Sequence, residues 1–501
     1  MANVYIVGAG PGHPELLTLR AHAVLKRADV CLYDRLISSE TLALLPPDCE
    51  KIDVGKAPGV AHRMRQEDIQ ALMLKYARQN KVVLRLKGGD PYVFGRGAEE
   101  AKACFDAGVS FEVVPGLTSA LTAASFAGIP MTHRQAGAEF AVITAHRRED
   151  QADHHPLKWP VLAQLDTLVI LMGVSMLSEI CRELIAHGKA PDTPAALVSQ
   201  GTLIKQKTVV ATLSTLVERC EKSGIQAPAI VVVGDVVRYT KTLCWFERLP
   251  LFGKTVWVTR ASQQSSELSE RLRECGAQVL ETPVIEIKPT QESLEPLFES
   301  LRHVDWLLFT SANGAEIFLN QLFGSGRDAR SLAGVKIGVI GKSTADCLQK
   351  YGLSPDVVPR EQFQAEGLLA ALPEDLTGRQ VILARAKKAR SLLPEKLSAR
   401  GALVSMVDLY ETLPAENLAL RDLWKTAPPD FVTFTSASTV EHFSALLRKQ
   451  GLDSQSIQGI SIGPITSEAA EKHQIKIVAQ ASEATMDALV KVLLQFVKGQ
   501  G

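Results

Sequence analysis

The sequence predicts an α/β protein built as several lobes in two main domains. Three observations lead there. Short β-branched runs alternate with helical patterns along the whole chain. Many of these runs end in Gly, Asp or Lys followed by a loop, as strands of a parallel sheet do at their ligand-binding edge. The second half repeats itself, and 501 residues are too many for one ordinary core.

In the first half the strand-like runs are "VYIVG", "VCLYD", "CEKIDVG", "KVVLRLKGG", "FEVVPG", "EFAVITA", "TLVILMG", "PAALVSQG" and "PAIVVVGDVV". The polar stretch "HRREDQADHHPLKWP" breaks the rhythm around residue 150 and is expected to divide two lobes. "YTKTLCWFERLPLFG", residues 239 to 253, breaks it again, and the main domain boundary is placed there.

Beyond that boundary "KTVWVTRA" is echoed by "RQVILARA", "LLFTSANGAEIF" by "VTFTSASTVEHF", and "IGVIGKST" by "GISIGPIT". The pairs recur in order at an offset of about 125 residues, which predicts two similar α/β lobes with a ligand cleft between them. Each copy carries a Thr-Ser pair after a strand, Thr310 with Ser311 and Thr435 with Ser436. At a sheet's carboxyl edge these hydroxyls and the following helix amides can receive carboxylates or phosphates. Equally, they can be plain N-caps.

Composition narrows the function. Lys+Arg and Asp+Glu number 55 each, which argues against a general nucleic-acid binder. No apolar run approaches a membrane span and no basic leader opens the chain, so a cytoplasmic protein without a membrane partner is expected. The eight cysteines form no Cys-x-x-Cys pair, and His154 and His155 sit in a polar loop, so no metal site is expected.

"VYIVGAGPGHPELL" has the strand, glycine turn and helix of a dinucleotide site but not its spacing. His13 stands where the third glycine belongs, and Pro11 and Pro14 remove backbone donors. Another ligand is required. Gly88-Gly89-Asp90-Pro91 lets a backbone approach a ligand closely, and the carboxylate suits a cationic or hydroxyl-rich one; a plain turn is the alternative. Pro115-Gly116 leads into a small-residue helix whose Thr118 and Ser119 can bond a ligand at its first turn. Met172 in "LMGV" and Gly201 in "VSQGT" complete a set of candidate loops.

These stretches, "VGAGPGHPELLTL", "YDRL", "RLKGGDPYVFGRG", "VVPGLTSALTAASFAGIPMTHR" and "MGV", resemble the uroporphyrinogen-III C-methyltransferases of the tetrapyrrole methylase family over residues 2 to 246. The resemblance implies a two-lobed tetrapyrrole methylase fold, usually a homodimer, with S-adenosyl-L-methionine held by Pro11, Gly88, Gly89, Asp90, Val93, Thr118, Ser119, Met172, Gly201 and Ala229. It places Asp34 as proton acceptor and Lys56 as proton donor, although pairing of Lys56 with a substrate carboxylate is an equally simple role. Arg35, Arg63, Arg96, His133 and Arg134 are candidates for the remaining acidic groups of the porphyrinogen. His13, Ala57 and "TAH" at 144 to 146 depart from the family's usual Asp, Arg and Thr-Gly-His.

"VTR", "FTSANG", "YET" and "SIGPIT" resemble uroporphyrinogen-III synthase over residues 251 to 495. The implied fold again has two lobes, about 251–286 with 413–501 and about 287–412. Tyr410 is its best catalytic candidate, with Thr310 and Thr466 as hydroxyls near the cleft and Arg260, Ser311, Thr435 and Ser436 as substrate contacts. Together the halves imply a bifunctional enzyme, cyclising hydroxymethylbilane to uroporphyrinogen III and methylating it twice to precorrin-2, ahead of the sirohaem and cobalamin branches. Two alternatives are a methyltransferase fused to a non-catalytic tetrapyrrole-binding module and a precorrin dehydrogenase, the latter lacking its nucleotide fingerprint here.

Overall fold

A computed structural model describes residues 2–55, 64–145, 157–259, 266–359, 365–388, 391–415 and 420–500. The chain forms two compact units, Met1–Lys254 with Arg273–Gln278, and Thr255–Leu272 with Val279–Gly501. Among the described residues no helix is long and apolar enough to cross a membrane.

The first unit holds two five-stranded sheets. Strands β1 (Val4–Gly8), β2 (Val30–Tyr33), β3 (Glu50–Asp53), β4 (Val83–Lys87) and β5 (Phe111–Val114) form an all-parallel sheet in the order β3-β2-β4-β1-β5. Alternation explains why β1 reads as one apolar run: Tyr5 and Val7 enter one core while Val4 and Ile6 enter another. The next five strands are β6 (Phe140–Thr144), β7 (Thr167–Leu171), β8 (Pro194–Ser199), β9 (Lys207–Thr212) and β10 (Ala229–Val233). They are ordered β6-β7-β10-β8-β9, with β6 and β7 parallel and the other pairs antiparallel. Strand β9 is additional to the nine expected from sequence.

The sheets change over between β5 and β6, not around residue 150. The polar stretch there connects two neighbouring strands of the second sheet, and a connection between neighbours needs no change of lobe. The passage is made by the helix Ser119–Phe126, whose Ala120, Ala123 and Ala124 are small enough to pack against Val169, Val198 and Val232 of the second sheet.

The second unit contains β11 (Thr255–Val258), β12 (Gln278–Glu281), β13 (Ile285–Pro289), β14 (Trp306–Phe309), β15 (Lys336–Val339), β16 (Gln380–Ala386), β17 (Leu403–Pro414), β18 (Phe431–Phe434), β19 (Gln458–Ser461) and β20 (Lys476–Gln480). They form two sheets, β12-β11-β18-β19-β20 and β13-β17-β16-β14-β15. The repeat is visible in this order, because β11, β18 and β19 occupy the places that β16, β14 and β15 occupy in the other sheet. The two copies exchange halves, however. Strand β11 comes from the first copy and pairs with β18 of the second, while β16 of the second pairs with β14 of the first.

Candidate active sites

At the carboxyl end of the parallel sheet three loops are drawn together by backbone. Ala9 N–H donates to the Lys87 carbonyl at 2.7 Å, and Gly10 and Gly89 exchange hydrogen bonds of 3.2 and 2.7 Å. A Cβ on Gly8 would lie 2.5 Å from the Gly89 oxygen and 2.6 Å from Gly116 Cα, and one on Gly116 would lie 2.3 Å from that same oxygen. Only glycine permits this approach. The Asp90 carboxylate braces the junction, accepting from Tyr92 N–H at 2.8 Å and Gly116 N–H at 3.1 Å. Part of its purpose is therefore the turn itself.

The second sheet supplies the opposite wall of this site. A Cβ on Gly201 would come within 2.3 Å of Ala123 Cβ, so this loop lies directly on the Ser119–Phe126 helix. Thr202 Oγ1 accepts from His13 N–H at 3.3 Å, and His13 Nδ1 caps the next turn by accepting from Glu15 N–H at 3.3 Å. Burial holds the His13 imidazole below its ordinary pKa. Thr118 caps the small-residue helix, Ala229 begins β10 beside Ser199, and Met172 stands half-exposed at the end of β7. Of seven described non-glycine residues with positive φ, five lie in these loops: Phe94, Arg96, Met172, Gln200 and Thr202. Such strain persists where surrounding contacts over-determine a functional loop.

The acid–base candidates divide. Asp34, one-third exposed, follows β2 and accepts from Arg85 Nη2 at 2.6 Å. Arg85 also donates to Glu100, as does Lys87, and all three are buried. Sequence reading missed this cluster. Its signal was present in "VLRLK", where two cations alternate within an otherwise apolar strand. Arg96 makes a bidentate pair with Glu99 at 2.8 and 2.6 Å, which raises its pKa further. His133 Nδ1 lies 2.7 Å from the Tyr239 hydroxyl and also accepts from Gln135 N–H, so that nitrogen is engaged within the chain. Arg35 and Arg134 are exposed. Val93 is exposed just beyond the Asp90 turn. Lys56, Arg63, His154, His155 and Arg260 lie outside the described residues.

In the second unit the structure brings Tyr410 and Ser311 together. The Tyr410 hydroxyl lies 2.9 Å from Ser311 Oγ, which also accepts from Gly314 N–H as cap of the helix Ala312–Gly324. Ser436 is the counterpart cap, forming a box with Thr439 ahead of the helix Ala437–Gln450. Thr310 and Thr435 directly follow β14 and β18, while Thr466 is buried in the first turn of Pro464–Lys472. The capping alternative is thus realised at both serines.

A parallel sheet whose glycine loops meet a mixed sheet, followed by two sheets of one repeated design, defines a fused two-part α/β enzyme. Residues 3–217 match the family Tetrapyrrole (Corrin/Porphyrin) Methylases, and residues 266–491 match Uroporphyrinogen-III synthase HemD. The porphyrin biosynthesis protein HemD of Ruminiclostridium josui is 39% identical over 498 residues, 98% of this chain and 97% of that protein. The uroporphyrinogen-III C-methyltransferase of Priestia megaterium is 46% identical over 241 residues, 48% of this chain and 100% of that protein. A solved uroporphyrin-III C-methyl transferase from Thermus thermophilus, complexed with S-adenyl homocysteine, is 42% identical, with a TM-score of 0.41, and covers 47% of this chain and 99% of that one. The chain belongs to the family that fuses a tetrapyrrole methylase to a uroporphyrinogen-III synthase. It is a bifunctional enzyme of tetrapyrrole biosynthesis with methyltransferase and synthase activities.

Proposed function

We propose that the second unit closes hydroxymethylbilane to uroporphyrinogen III, and that the first methylates this product twice, using S-adenosyl-L-methionine, to give precorrin-2. The junction of Gly8, Gly89 and Gly116 carries the reading, because it gathers three strand-end loops over one edge of the sheet without intervening side chains. The cofactor residues are those named above: Pro11, Gly88, Gly89, Asp90, Val93, Thr118, Ser119, Met172, Gly201 and Ala229. None of the ten carries a positive charge, which suits a sulfonium, and a Cβ at Gly88 would meet only Leu36 at 3.6 Å, leaving room for a ligand.

The cofactor supplies an electrophilic methyl group that needs alignment more than activation. The strained loops fix the geometry of that approach. Asp34 accepts the proton that the macrocycle gives up after methyl transfer, the methylated ring carbon itself carrying none, and Arg35, Arg96, His133 and Arg134 answer the substrate's carboxylates. In the synthase half Tyr410 and Ser311 face the folded bilane, with Thr310, Thr435, Ser436 and Thr466 along the strand ends. Holding the reacting rings in place contributes more there than a strong acid or base.

Residues 1–246 form the methyltransferase domain and 251–501 the synthase domain. The methyltransferase domain pairs into a homodimer, a reading supported by the exposed apolar side chains Leu117, Leu121, Phe140 and Leu243. The protein works in the cytoplasm on small-molecule tetrapyrroles, without nucleic-acid or membrane partners. Incubating the whole protein with hydroxymethylbilane, with and without S-adenosylmethionine, tests both halves by absorbance and mass. Ring closure only to the uncatalysed type I isomer would overturn the synthase assignment. Failure to add two methyl groups to authentic uroporphyrinogen III would overturn the methyltransferase one.

A further inference from the structure

Strand β4 carries two cations through the middle of an apolar sheet. Arg85 and Lys87 alternate along it and therefore share one face, and they are only 2% and 3% exposed. Burial at this depth is costly unless every charge is matched. Glu100, fully buried on the helix Gly97–Asp106, matches them from one side. Its Oε1 accepts from Gln66 Nε2 at 3.0 Å, Arg85 Nε at 3.0 Å and Lys87 Nζ at 3.1 Å. Its Oε2 is buried with no donor among the described residues. On the other side Arg85 Nη2 donates to Asp34 Oδ1 at 2.6 Å, and Lys87 Nζ lies 4.0 Å from Asp34 Oδ2.

The four side chains balance two positive charges against two negative ones. Asp34 alone among them reaches solvent, so the buried members act outward through a single carboxylate. Well-packed apolar residues usually serve stability as well as a buried ion cluster does. A cluster that ends on one partly exposed carboxylate instead has the form of a support for that carboxylate.

We propose that Lys87 and Glu100 are positioning residues for Asp34, fixing with Arg85 the place of its carboxylate and the charge around it during methyl transfer. The inference rests on Asp34 as the proton acceptor. Burial, then the charge of Arg85, lowers the pKa of Lys87, consistent with a group held in place at some cost. Among the described residues the groups facing Asp34 are Arg85 and Lys87 from β4, with Glu100 on the far side of both, Arg35 next to it in sequence and Asp53 opposite Tyr33 in the β2–β3 pair.

The test measures kcat for methylation of uroporphyrinogen III by the full-length protein across pH, together with S-adenosylhomocysteine affinity by calorimetry. Lys87→Met removes a positive charge and moves the acidic limb of the profile up by about one pH unit, whereas Glu100→Gln removes a negative charge and moves it down by a similar amount. Lys87→Arg restores the wild-type limb, and cofactor affinity stays within about twofold in all three. Limbs that stay in place, or move in the same direction, overturn the proposal. If Lys87→Met does not fold, the Glu100→Gln limb decides alone, a downward shift supporting the proposal and an unmoved or rising one overturning it. Asp34→Asn separates the two readings: unchanged kcat across pH removes Asp34 as acceptor, whatever the other variants do.

Discussion

At the strand ends of the first unit Gly8, Gly89 and Gly116 come so close that no side chain fits between them; at the corresponding ends of the second unit, the side chains of Ser311 and Ser436 cap helices. The first site adds strained backbone and a buried ion cluster, while the second adds a Tyr410–Ser311 hydroxyl pair. The difference matches the chemistry. Methyl transfer to carbon depends on tight alignment of two partners, so rigidity at the loops is useful. Closing a long flexible bilane depends on enclosing it, and adaptable hydroxyls at the ends of two similar sheets suit that task.

The strongest way to break this comparison is Gly116→Ala. Its Cβ would stand 2.3 Å from the Gly89 oxygen, and both are backbone-fixed, so the first unit loses about 3 kcal/mol and methyl transfer falls at least about 100-fold. Cyclisation stays within about twofold in the same preparation. Parallel assays check it, and an equal fall in both activities would show that the two regions are not separately braced.

Tyr410→Phe reaches the other side of the comparison. It removes one hydrogen bond to Ser311, worth about 1 kcal/mol, and slows cyclisation about fivefold without changing methylation. A lowered unfolding midpoint with an unchanged cyclisation rate would reduce Tyr410 to a core residue.

The smallest effect concerns His13. Burial keeps its folded pKa below the ordinary 6.5, so the unfolded chain takes up a proton first as pH falls. Stability contributed by the neutral imidazole is present above 6.5 and is lost as pH drops from there through the folded value. His13→Gln removes that slope, which thermal unfolding at a series of pH values reads directly. An unchanged slope would place the titration elsewhere.

Much of the fold was legible because runs in a two-faced parallel sheet are largely apolar, as "VYIVG" is throughout and "KVVLRLKGG" is apart from its cations. Strand β9 was not, since "KTVVAT" carries a lysine and three threonine or alanine positions and sits half-buried at an edge of its sheet. The repeat was legible as similarity, but nothing in "KTVWVTRA" itself tells that Val256 lies beside Phe431 rather than beside a strand of its own copy; the grouping of residues 251–286 with 413–501 came from the family resemblance alone. At the site, glycines and prolines marked the loops because each alters the backbone locally. Glu100 was hidden because one acidic residue on a helix of ordinary charge reads as solvated, and only its 0% exposure shows otherwise. The small residues Ala120, Ala123 and Ala124 suggested close approach, but the partners they meet, Val169, Val198 and Val232, come from strands well further along the chain.

The exchange of strands between repeat copies also sets an order in which the second unit can be assembled. Thr255 N–H donates to the Asp430 carboxylate, 175 residues later in the chain. The sheet built from β13 to β17 lies within one continuous stretch, Ile285–Pro414, and has all its strands as soon as that stretch leaves the ribosome. Strands β11 and β12 are made first and are neighbours in the sheet, but the other edge of β11, along Val256, Trp257 and Val258, must wait until Phe431–Phe434 has been synthesised. The oldest part of this unit during synthesis is therefore among the last to be buried.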